Sequence, residues 1–331
     1  MKQYYSLSKS ILQEITKANN IIINVHRNPD LDSIGSATAL YQALIKIGKK
    51  VTLICPHEIP ENFKFLKGAD KVKTLDFKEW KDTGVRRYDI FLILDSGSYD
   101  IVTGSKEILL PNIKKIVIDH HLTNNWNNCL VKLLDTKASA TAEIVYKILL
   151  DWNVEIDKNI STSLLSGLAG DTVFFKYPKD PNVTFLIVNK LMKLGANYTL
   201  LISKLNDGLS FGFVKLLGEF INNMKKEKKF VWSAVSYDMF EKHSKPRGVR
   251  ETAADNFFRS IKNADFGVAL LEEEKGKISM SFRSKQKFDV SKIAEQFGGG
   301  GHINAAGGKV KGEFEKTVKK IIKKIKKVIL V

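Results

Sequence analysis

Three predominantly apolar runs in the first part of the chain are each followed directly by an aspartate or a histidine. Short runs of this kind are typical of strands buried on both faces, as in a parallel sheet. A helical pattern at 33–47 and a strand at 51–54 follow the first run and complete a βαβ unit with a right-handed crossover. We therefore predict an α/β fold with a parallel sheet and flanking helices. The runs and the residues that follow them are 20–25 with His26, 91–94 with Asp95, and 116–118 with Asp119, His120 and His121.

Residues that follow parallel strands meet at one edge of the sheet, where open α/β folds bind their ligands. His26, Asp30 and Asp32 lie close together on a predicted loop between a strand and a helix. Taken alone, Asp32 would be a helix N-cap, and Asp95 or Asp171 would be a turn former. Taken together, carboxylates and imidazoles without thiolates suit Mn²⁺ or Mg²⁺, with Zn²⁺, Fe²⁺ or Co²⁺ as alternatives. Two such ions can bridge a hydroxide that attacks phosphorus, which predicts a metal-dependent hydrolase.

A second pattern lies near the end of the chain, where the four glycines at 298–301 precede His302. Glycines let a backbone approach a ligand closely and point N–H groups at an anion, although a flexible turn is the simpler alternative. Upstream, Arg283 and Ser284 end a predicted strand. Arg283 could bind a phosphate, stack on a base or remain a solvated surface arginine.

The chain has 331 residues, which suits two domains, and a formal charge of +17. A basic surface favours phosphate-bearing partners, although a lysine-rich composition with solvated side chains would give the same charge. The lysine-rich run at 225–229 is a predicted boundary, after which a second α/β pattern begins. Cys55 and Cys129 show neither a disulfide framework nor metal-ligand spacing. Without a signal peptide or an apolar run of about 18 residues, we expect a cytoplasmic protein that has no membrane partner.

In their order along the chain these motifs resemble those of the DHH/DHHA1 phosphoesterases, and the likeness covers almost the whole chain. It implies a DHH catalytic domain at 1–185, a helical connector at 186–227 and a smaller α/β DHHA1 domain at 228–328, with a cleft between the domains. One position departs from the family pattern, because Val173 stands where the family often has glycine, and this puts the pocket wall in doubt. The motifs are His26-Arg27-Asn28-Pro29-Asp30-Leu31-Asp32, Asp95, Asp119-His120-His121, Asp171-Thr172, Ser281-Phe282-Arg283-Ser284 and Gly299-Gly300-Gly301-His302.

The resemblance also implies a role for each of these residues. It implies two Mn²⁺ ions, with Mg²⁺ or Co²⁺ as substitutes. Asp119 would orient an imidazole, and His121 would face the substrate phosphate. One ion would be held by His26, Asp30 and Asp95, and the other by Asp32, Asp95, His120 and Asp171. The implied substrate-binding residues are Arg283, Ser284, Gly299, Gly300, Gly301 and His302.

By the same resemblance, we expect hydrolysis of very short oligoribonucleotides to mononucleotides, and of 3′-phosphoadenosine 5′-phosphate to AMP. Cyclic di-AMP and linear pNpN dinucleotides are the alternative substrates. A basic nucleic-acid-binding protein without catalysis is an alternative of another class, but every ligand position is intact. Short RNA and nucleotides are therefore the expected partners. The sequence leaves cleavage direction, the choice of RNA or DNA, and oligomeric state open, although homodimers occur in similar proteins.

Overall fold

The structure is a computed structural model that describes residues 3–78, 87–108, 112–206, 209–285 and 288–329. The chain divides into two compact units, residues 1–208 and 209–331. This divide lies inside the predicted connector at 186–227, so helices of that segment belong to both units. The domain bounds predicted at 185 and 228 therefore stay predictions.

The first unit contains a six-stranded parallel sheet, which confirms the predicted fold class. The strands are Asn20–Asn24 (β1), Lys50–Cys55 (β2), Lys73–Thr74 (β3), Ile90–Leu94 (β4), Lys114–Asp119 (β5) and Val131–Leu134 (β6). Their order across the sheet is β3-β2-β1-β4-β5-β6, so the direction of strand addition reverses between β1 and β4. Every residue of β4 is buried, as the apolar run predicted. The sheet therefore has its switch point beside the central strand that precedes Asp95.

Helices surround this sheet, and α2 differs from the prediction at its start. The helices are Ser6–Lys17 (α1), Leu31–Lys46 (α2), Tyr99–Thr103 (α3), Thr141–Asp151 (α4), Lys158–Asp171 (α5), Pro181–Lys193 (α6) and Tyr198–Asn206 (α7). Asp30 is the N-cap of α2, because its carboxylate accepts a hydrogen bond from the Ser33 amide at 2.9 Å. The loop position predicted for Asp32 is therefore wrong: Asp32 lies in the first helical turn. Similarly, the helical stretch predicted at 182–204 is two helices, interrupted at Gly195, whose φ is +90°.

Close packing of α2, α4 and α5 depends on glycines that line the helix contacts. A Cβ on Gly35 would lie 2.5 Å from the Ser163 carbonyl oxygen, and one on Gly167 would lie 2.5 Å from the Ala142 Cβ. Real Cβ atoms do not approach other atoms so closely, so a larger residue would push the helices apart. The glycines thus let the end of α5 approach the start of α2.

The second unit contains a mixed six-stranded sheet with helices. The strands and helices are Phe211–Asn222 (α8), Lys225–Lys226 (β7), Phe230–Val235 (β8), Tyr237–Lys242 (α9), Val249–Thr252 (α10), Phe266–Glu274 (β9), Lys277–Ser284 (β10), Ser291–Glu295 (α11), Gly300–His302 (β11), Ala305–Lys311 (β12) and Phe314–Ile329 (α12). The strand order is β11-β12-β10-β9-β8-β7. The pairing of β8 with β9 is parallel and the other pairs are antiparallel.

The helix predicted at 251–261 is interrupted in the structure. It consists of α10, a π-helical turn at Ala253–Phe257 and a 3₁₀ turn at Phe258–Ser260. Phe258 is fully buried, and its Cβ packs where a side chain on Gly267 of β9 would otherwise lie. Tertiary packing therefore outweighs the helical pattern here. In neither unit do the described residues form a helix that is both long and apolar enough to cross a bilayer.

Candidate metal centre

Five carboxyl groups and three imidazoles meet at the carboxyl edge of the first sheet. The strands β1 and β5 lie on either side of β4. As a result, His26 after β1 and His120 after β5 both face Asp95, which follows β4. This edge lies at the switch point of the sheet, where open α/β folds bind ligands. The carboxylate–histidine cluster comprises His26, Asp30, Asp32, Asp95, Asp119, His120, His121 and Asp171.

Asp95 is the central group of the cluster. One of its oxygens, Oδ2, lies 3.5 Å from His26 Nε2, and the other, Oδ1, lies 3.6 Å from both His120 Nε2 and His121 Nδ1. The Asp95 side chain is only 2% exposed. Its backbone has a φ of +52°, a left-handed conformation that is uncommon outside glycine and asparagine. A carboxylate with an imidazole on each side belongs to two of the groups of side chains that could hold a metal ion.

The remaining acids lie around this centre. Asp30 Oδ2 is 3.3 Å from His26 Nε2, and Asp171 Oδ2 is 2.9 Å from His120 Nε2. Asp171 is the last residue of α5, so the close packing of α5 against α2 brings it to the cluster. The donor atoms form three groups with the spacing of metal ligands: His26 with Asp30 and Asp95, Asp32 with His120 and Asp171, and Asp95 with His120 and His121.

The chemistry of these donors fits divalent cations. Ligand oxygens at about 2.1 Å from an octahedral ion lie about 3 Å from one another, close to the separations seen here. His120 Nε2 is buried and forms no bond with hydrogen-bond geometry among the described residues, although Asp171 Oδ2 is near it. A buried nitrogen without a donor or acceptor is costly unless it has another partner. The cluster can therefore hold a metal, as the sequence predicted.

Asp32 is held by a helix terminus that the sequence did not reveal. Its carboxylate accepts hydrogen bonds from the first two amides of α4, those of Thr141 at 2.6 Å and Ala142 at 2.9 Å, and from the Ser36 hydroxyl at 3.1 Å. The Thr141 hydroxyl also donates to Asp95 Oδ1 at 3.0 Å. Thr141 therefore fixes two of the predicted ligands, through its backbone and its side chain.

A second positioning group, Asn24, lies at the end of β1. The fully buried side chain of Asn24 accepts a hydrogen bond from the Leu94 amide at 2.8 Å and donates one to the Leu94 carbonyl at 3.3 Å. It thereby links β1 and β4 immediately before Asp95, where the strand ladder has ended. The asparagine within an otherwise apolar run was the sequence signal for this role.

Asp119 and His121 form a pair beside the centre. Asp119 Oδ1 lies 2.7 Å from His121 Nδ1, and Asp119 Oδ2 accepts a hydrogen bond from the side-chain nitrogen of Asn124 at 2.9 Å. Asp119 is fully buried, whereas His121 is 31% exposed. A buried carboxylate bound to one ring nitrogen fixes the orientation of an imidazole. On the other side of the motif, Lys179 Nζ lies 3.3 Å from His120 Nδ1, a contact that sequence reasoning missed.

The acids and imidazoles of the cluster alter one another's ionisation. Burial, and then Asp95 and Asp171, raise the pKa of Asp32 well above its usual range. Burial also raises the pKa of Asp30, but His26 and the Ser33 amide together outweigh burial and lower this pKa to about 2. For His121, burial lowers the pKa, yet the bond to Asp119 and the charges of Asp95, Asp119 and Asp171 together outweigh burial and raise the pKa to about 9. Five carboxyl groups exceed three imidazoles, so full ionisation of the acids requires additional positive charge.

The turn after Asp171 has an unusual backbone. Val173, Phe174 and Phe175 have φ values of +51°, +56° and +63°. The Phe174 amide bonds to the Ala169 carbonyl at 2.7 Å, which ends α5 with a left-handed turn. A β-branched residue such as Val173 is strained in this conformation, whereas glycine is not. The departure from the family pattern therefore falls at a position that favours glycine.

The residues predicted to bind substrate all lie in the second unit. The predicted glycine loop is the start of a hairpin, because β11 pairs with β12. A Cβ on Gly299 would lie 2.0 Å from the Gly307 carbonyl oxygen, and Gly301 has a φ of +145°. In contrast, a Cβ on Gly300 would meet nothing within 4 Å, and Gly300 and His302 are exposed. The hairpin at 298–311 thus needs some of its glycines for its own backbone.

Arg283 and Ser284 are both engaged within the second unit. Arg283 Nε donates a hydrogen bond at 2.9 Å to Oδ1 of Asp255, which lies in the π-helical turn. Ser284 is buried, and its hydroxyl donates to the Phe288 carbonyl at 2.6 Å. Contacts of these residues with a nucleotide, and the cleft that would bring them to the cluster, stay predictions.

The sequence of this chain matches two domain families. Residues 20–168 match the DHH family, N-terminal domain, and residues 227–330 match the DHHA1 domain. The chain therefore contains a DHH domain followed by a DHHA1 domain, which confirms the resemblance inferred from the motifs. The cluster lies largely within the matched DHH segment, and the glycine hairpin lies in the DHHA1 segment.

Similar proteins cover most of the chain. The bifunctional oligoribonuclease and PAP phosphatase NrnA of Thermus thermophilus is 26% identical over 96% of this chain and 93% of its own length. The membrane protein-large ribosomal subunit bL9 fusion protein of Aster yellows witches'-broom phytoplasma is 27% identical over 97% of this chain, which spans 38% of that protein. The cyclic-di-AMP phosphodiesterase GdpP of Bacillus subtilis is 26% identical over 92% of this chain and 47% of its own length.

A solved structure has the same fold over nearly the whole chain. The exopolyphosphatase-related protein of Bacteroides fragilis superimposes with a TM-score of 0.88 and 27% identity, covering 97% of this chain and 95% of that one. The two domains and these relatives support the predicted enzyme class, a hydrolase acting on phosphoric esters.

Proposed function

We propose that the protein is a Mn²⁺-dependent phosphoesterase that hydrolyses very short oligoribonucleotides and converts 3′-phosphoadenosine 5′-phosphate to AMP. The observation that carries the proposal is the central position of Asp95 between His26 and His120, which joins two ligand groups into one site. The likeness to NrnA supports the substrates, because it extends over 93% of the length of that protein.

In this proposal one ion is held by His26, Asp30 and Asp95, and the second by Asp32, Asp95, His120 and Asp171. The ions would supply charge stabilisation at phosphorus and an activated water as nucleophile. Mg²⁺ or Co²⁺ are the proposed substitutes, because the ligands are hard oxygens and imidazoles. The amides of α4 hold Asp32 in place, and the Thr141 hydroxyl holds Asp95, so the ligands need little reorganisation.

The chain supplies the proton chemistry through Asp119 and His121. The bond between His121 Nδ1 and Asp119 fixes the imidazole, and the buried Asp119 carboxylate favours its protonated form. A protonated imidazole can bind a phosphate oxygen and donate a proton to a leaving alkoxide. Arg283, Ser284, Gly299, Gly300, Gly301 and His302 are the proposed contacts for the rest of the nucleotide.

Cyclic di-AMP is the second candidate substrate, with its linear product pApA. The observation that favours it is the 26% identity to the GdpP phosphodiesterase over 92% of this chain. That likeness covers 47% of GdpP, whereas the likeness to NrnA covers most of NrnA. Short oligoribonucleotides are therefore the favoured substrates.

The test is a competition assay with pApA, 3′-phosphoadenosine 5′-phosphate and cyclic di-AMP in the presence of Mn²⁺. We expect release of AMP from the first two, with a higher kcat/KM than for cyclic di-AMP. Asp95→Asn should lower kcat/KM about 10³-fold or more, because several kcal/mol of transition-state stabilisation depend on the metal site. Asp70→Asn is the matched control, because Asp70 is exposed and forms a surface ion pair with Lys71. Wild-type protein that releases nothing from all three substrates would contradict the proposal.

A further inference from the structure

The exposed face of the last helix consists almost entirely of lysines. Every exposed residue of α12 except Glu315 is a lysine. Such a face has a strong positive field, because like charges lie next to one another with little acidic compensation. The exposed lysines are Lys316, Lys319, Lys320, Lys323, Lys324, Lys326 and Lys327.

Few of these lysines are used inside the protein. Lys326 pairs with Glu227 at 2.9 Å, and Lys324 donates to the Gln296 carbonyl and lies over the Phe297 ring. For the other five lysines, no described carboxylate lies within ion-pair distance. A helix that only required solubility would alternate acidic and basic residues, which stabilise each other at this spacing.

The opposite face of α12 is committed to the core of the second unit. Val318, Ile321, Ile322 and Ile325 are buried and belong to its main hydrophobic cluster. Phe314, Val328 and Ile329 also pack against this cluster, so the described apolar side chains of α12 face the core rather than being free to insert between lipids, as those of an amphipathic membrane helix would be. A charged partner that needs no insertion fits this surface better.

The lysines are arranged as a continuous track. Positions 316, 320 and 324 form one row and 319, 323 and 327 form another, each with a rise of about 6 Å between neighbours. The first row borders a shallow pocket of about 340 Å³ that is also lined by Phe297, Lys311 and one acid, Glu313. At the other end, the Lys326–Glu227 pair brings α12 next to the lysine-rich run at 225–229. Rows of basic side chains beside an aromatic ring are typical of single-strand binding.

We propose that this lysine track, defined as the exposed lysines of α12 with the run at 225–229, binds the phosphate backbone of single-stranded RNA. The lysines alone account for binding to a polyanion, whereas the choice of RNA rests on the proposed function. The track would bind longer strands without sequence preference. It is a surface of the second unit that is separate in sequence from the predicted contacts at Arg283 and the glycines.

The test measures binding of a labelled 20-nucleotide polyuridine by fluorescence anisotropy, with EDTA present so that no hydrolysis occurs. The variant changes Lys316, Lys320, Lys323 and Lys327 together to glutamine, which keeps helix propensity while it removes four charges. The control changes Lys50, Lys67, Lys73 and Lys78 to glutamine, which removes the same charge from exposed positions of the first unit. Circular dichroism and thermal melting establish that both variants fold.

We expect the α12 variant to bind the RNA at least about tenfold more weakly than the control. Its plot of log affinity against log salt should be shallower by about 3, since each phosphate contact contributes about 0.7 to the slope. Equal losses in both variants, or no loss in either, would overturn the proposal. So would loss of binding to anionic phosphatidylserine vesicles with unchanged RNA binding. A protein that passes this test but hydrolyses none of the three nucleotides would refute the proposed function and leave the lysine track standing.

Discussion

The carboxylate–histidine cluster of the first unit and the glycine hairpin of the second differ in whether they need a bound cation. The centre of the cluster, at Asp32, Asp95 and His120, is buried and crowded with acids, and His120 Nε2 has no hydrogen-bond partner among the described residues. Residues 300–302 of the hairpin are exposed, and Gly299 and Gly301 leave no room for a side chain. The acids of the cluster thus need a cation to balance their charge, whereas the hairpin has no comparable need of a bound ion. A divalent ion should therefore stabilise one region and leave the other unchanged.

The largest expected effect is that of metal removal. At Mn²⁺ concentrations near 100 times its Kd, each bound ion should stabilise the first unit by about 2.7 kcal/mol. Hydrogen exchange should show this as slower exchange of the amides of β4 and β5, with little change in β9 and β10. EDTA should abolish hydrolysis. The Asp95→Asn variant is the control and should lose the protection. Equal slowing of hydrogen exchange in both sheets would contradict the expectation that the ion stabilises the first unit alone.

A smaller effect is expected from Gly167→Ala in α5. The new Cβ would lie 2.5 Å from the Ala142 Cβ and 2.8 Å from Asp32 Oδ1, so α4 and a proposed metal ligand must shift. We expect a loss of about 1–3 kcal/mol of stability, measured by urea unfolding, together with weaker Mn²⁺ binding by calorimetry.

Gly218→Ala is the matched control for this change. Gly218 is also inside a helix, α8, but a Cβ there meets nothing within 4 Å. Alanine should raise stability by about 0.5–1 kcal/mol at this position and leave Mn²⁺ binding unchanged. If both variants behaved alike, the close packing at Gly167 would have no part in positioning Asp32.

The smallest effect is expected in the hairpin. Gly299→Ala places a Cβ 2.0 Å from the Gly307 carbonyl oxygen, but β11 is the edge strand of its sheet and can move away, so we expect a loss of about 1 kcal/mol. Gly300→Ala meets open space and should leave the melting temperature unchanged. If a nucleotide approaches this backbone closely, Gly300→Ala should nevertheless raise KM. Unchanged KM in that variant would remove Gly300 from the proposed contacts, and reduced Mn²⁺ binding in either variant would contradict the independence of the two regions.

Much of the first sheet and its polar edge could be predicted, because both depend on local patterns. The strands β1, β4 and β5 are short apolar runs, and parallel pairing brings their ends to one edge whatever the loops do. The start of α2 and the interrupted helix near residue 255 could not be predicted in this way. The cap at Asp30 decided the first, through a local bond to the Ser33 amide that apolar periodicity does not show. The packing of Phe258 on Gly267 decided the second, and this contact depends on the fold.

The sequence by itself determined the class of fold, the two-domain pattern and the acids and imidazoles that we propose as metal ligands, because periodicity and residue chemistry are properties of short segments. Only the tertiary structure decided which of these side chains meet, and what holds them in place. Thr141 binds both Asp32 and Asp95 across gaps of more than 40 residues, and Gly167 lets Asp171 approach them. Contacts between distant segments arise when helices pack on the sheet, so no local pattern encodes them.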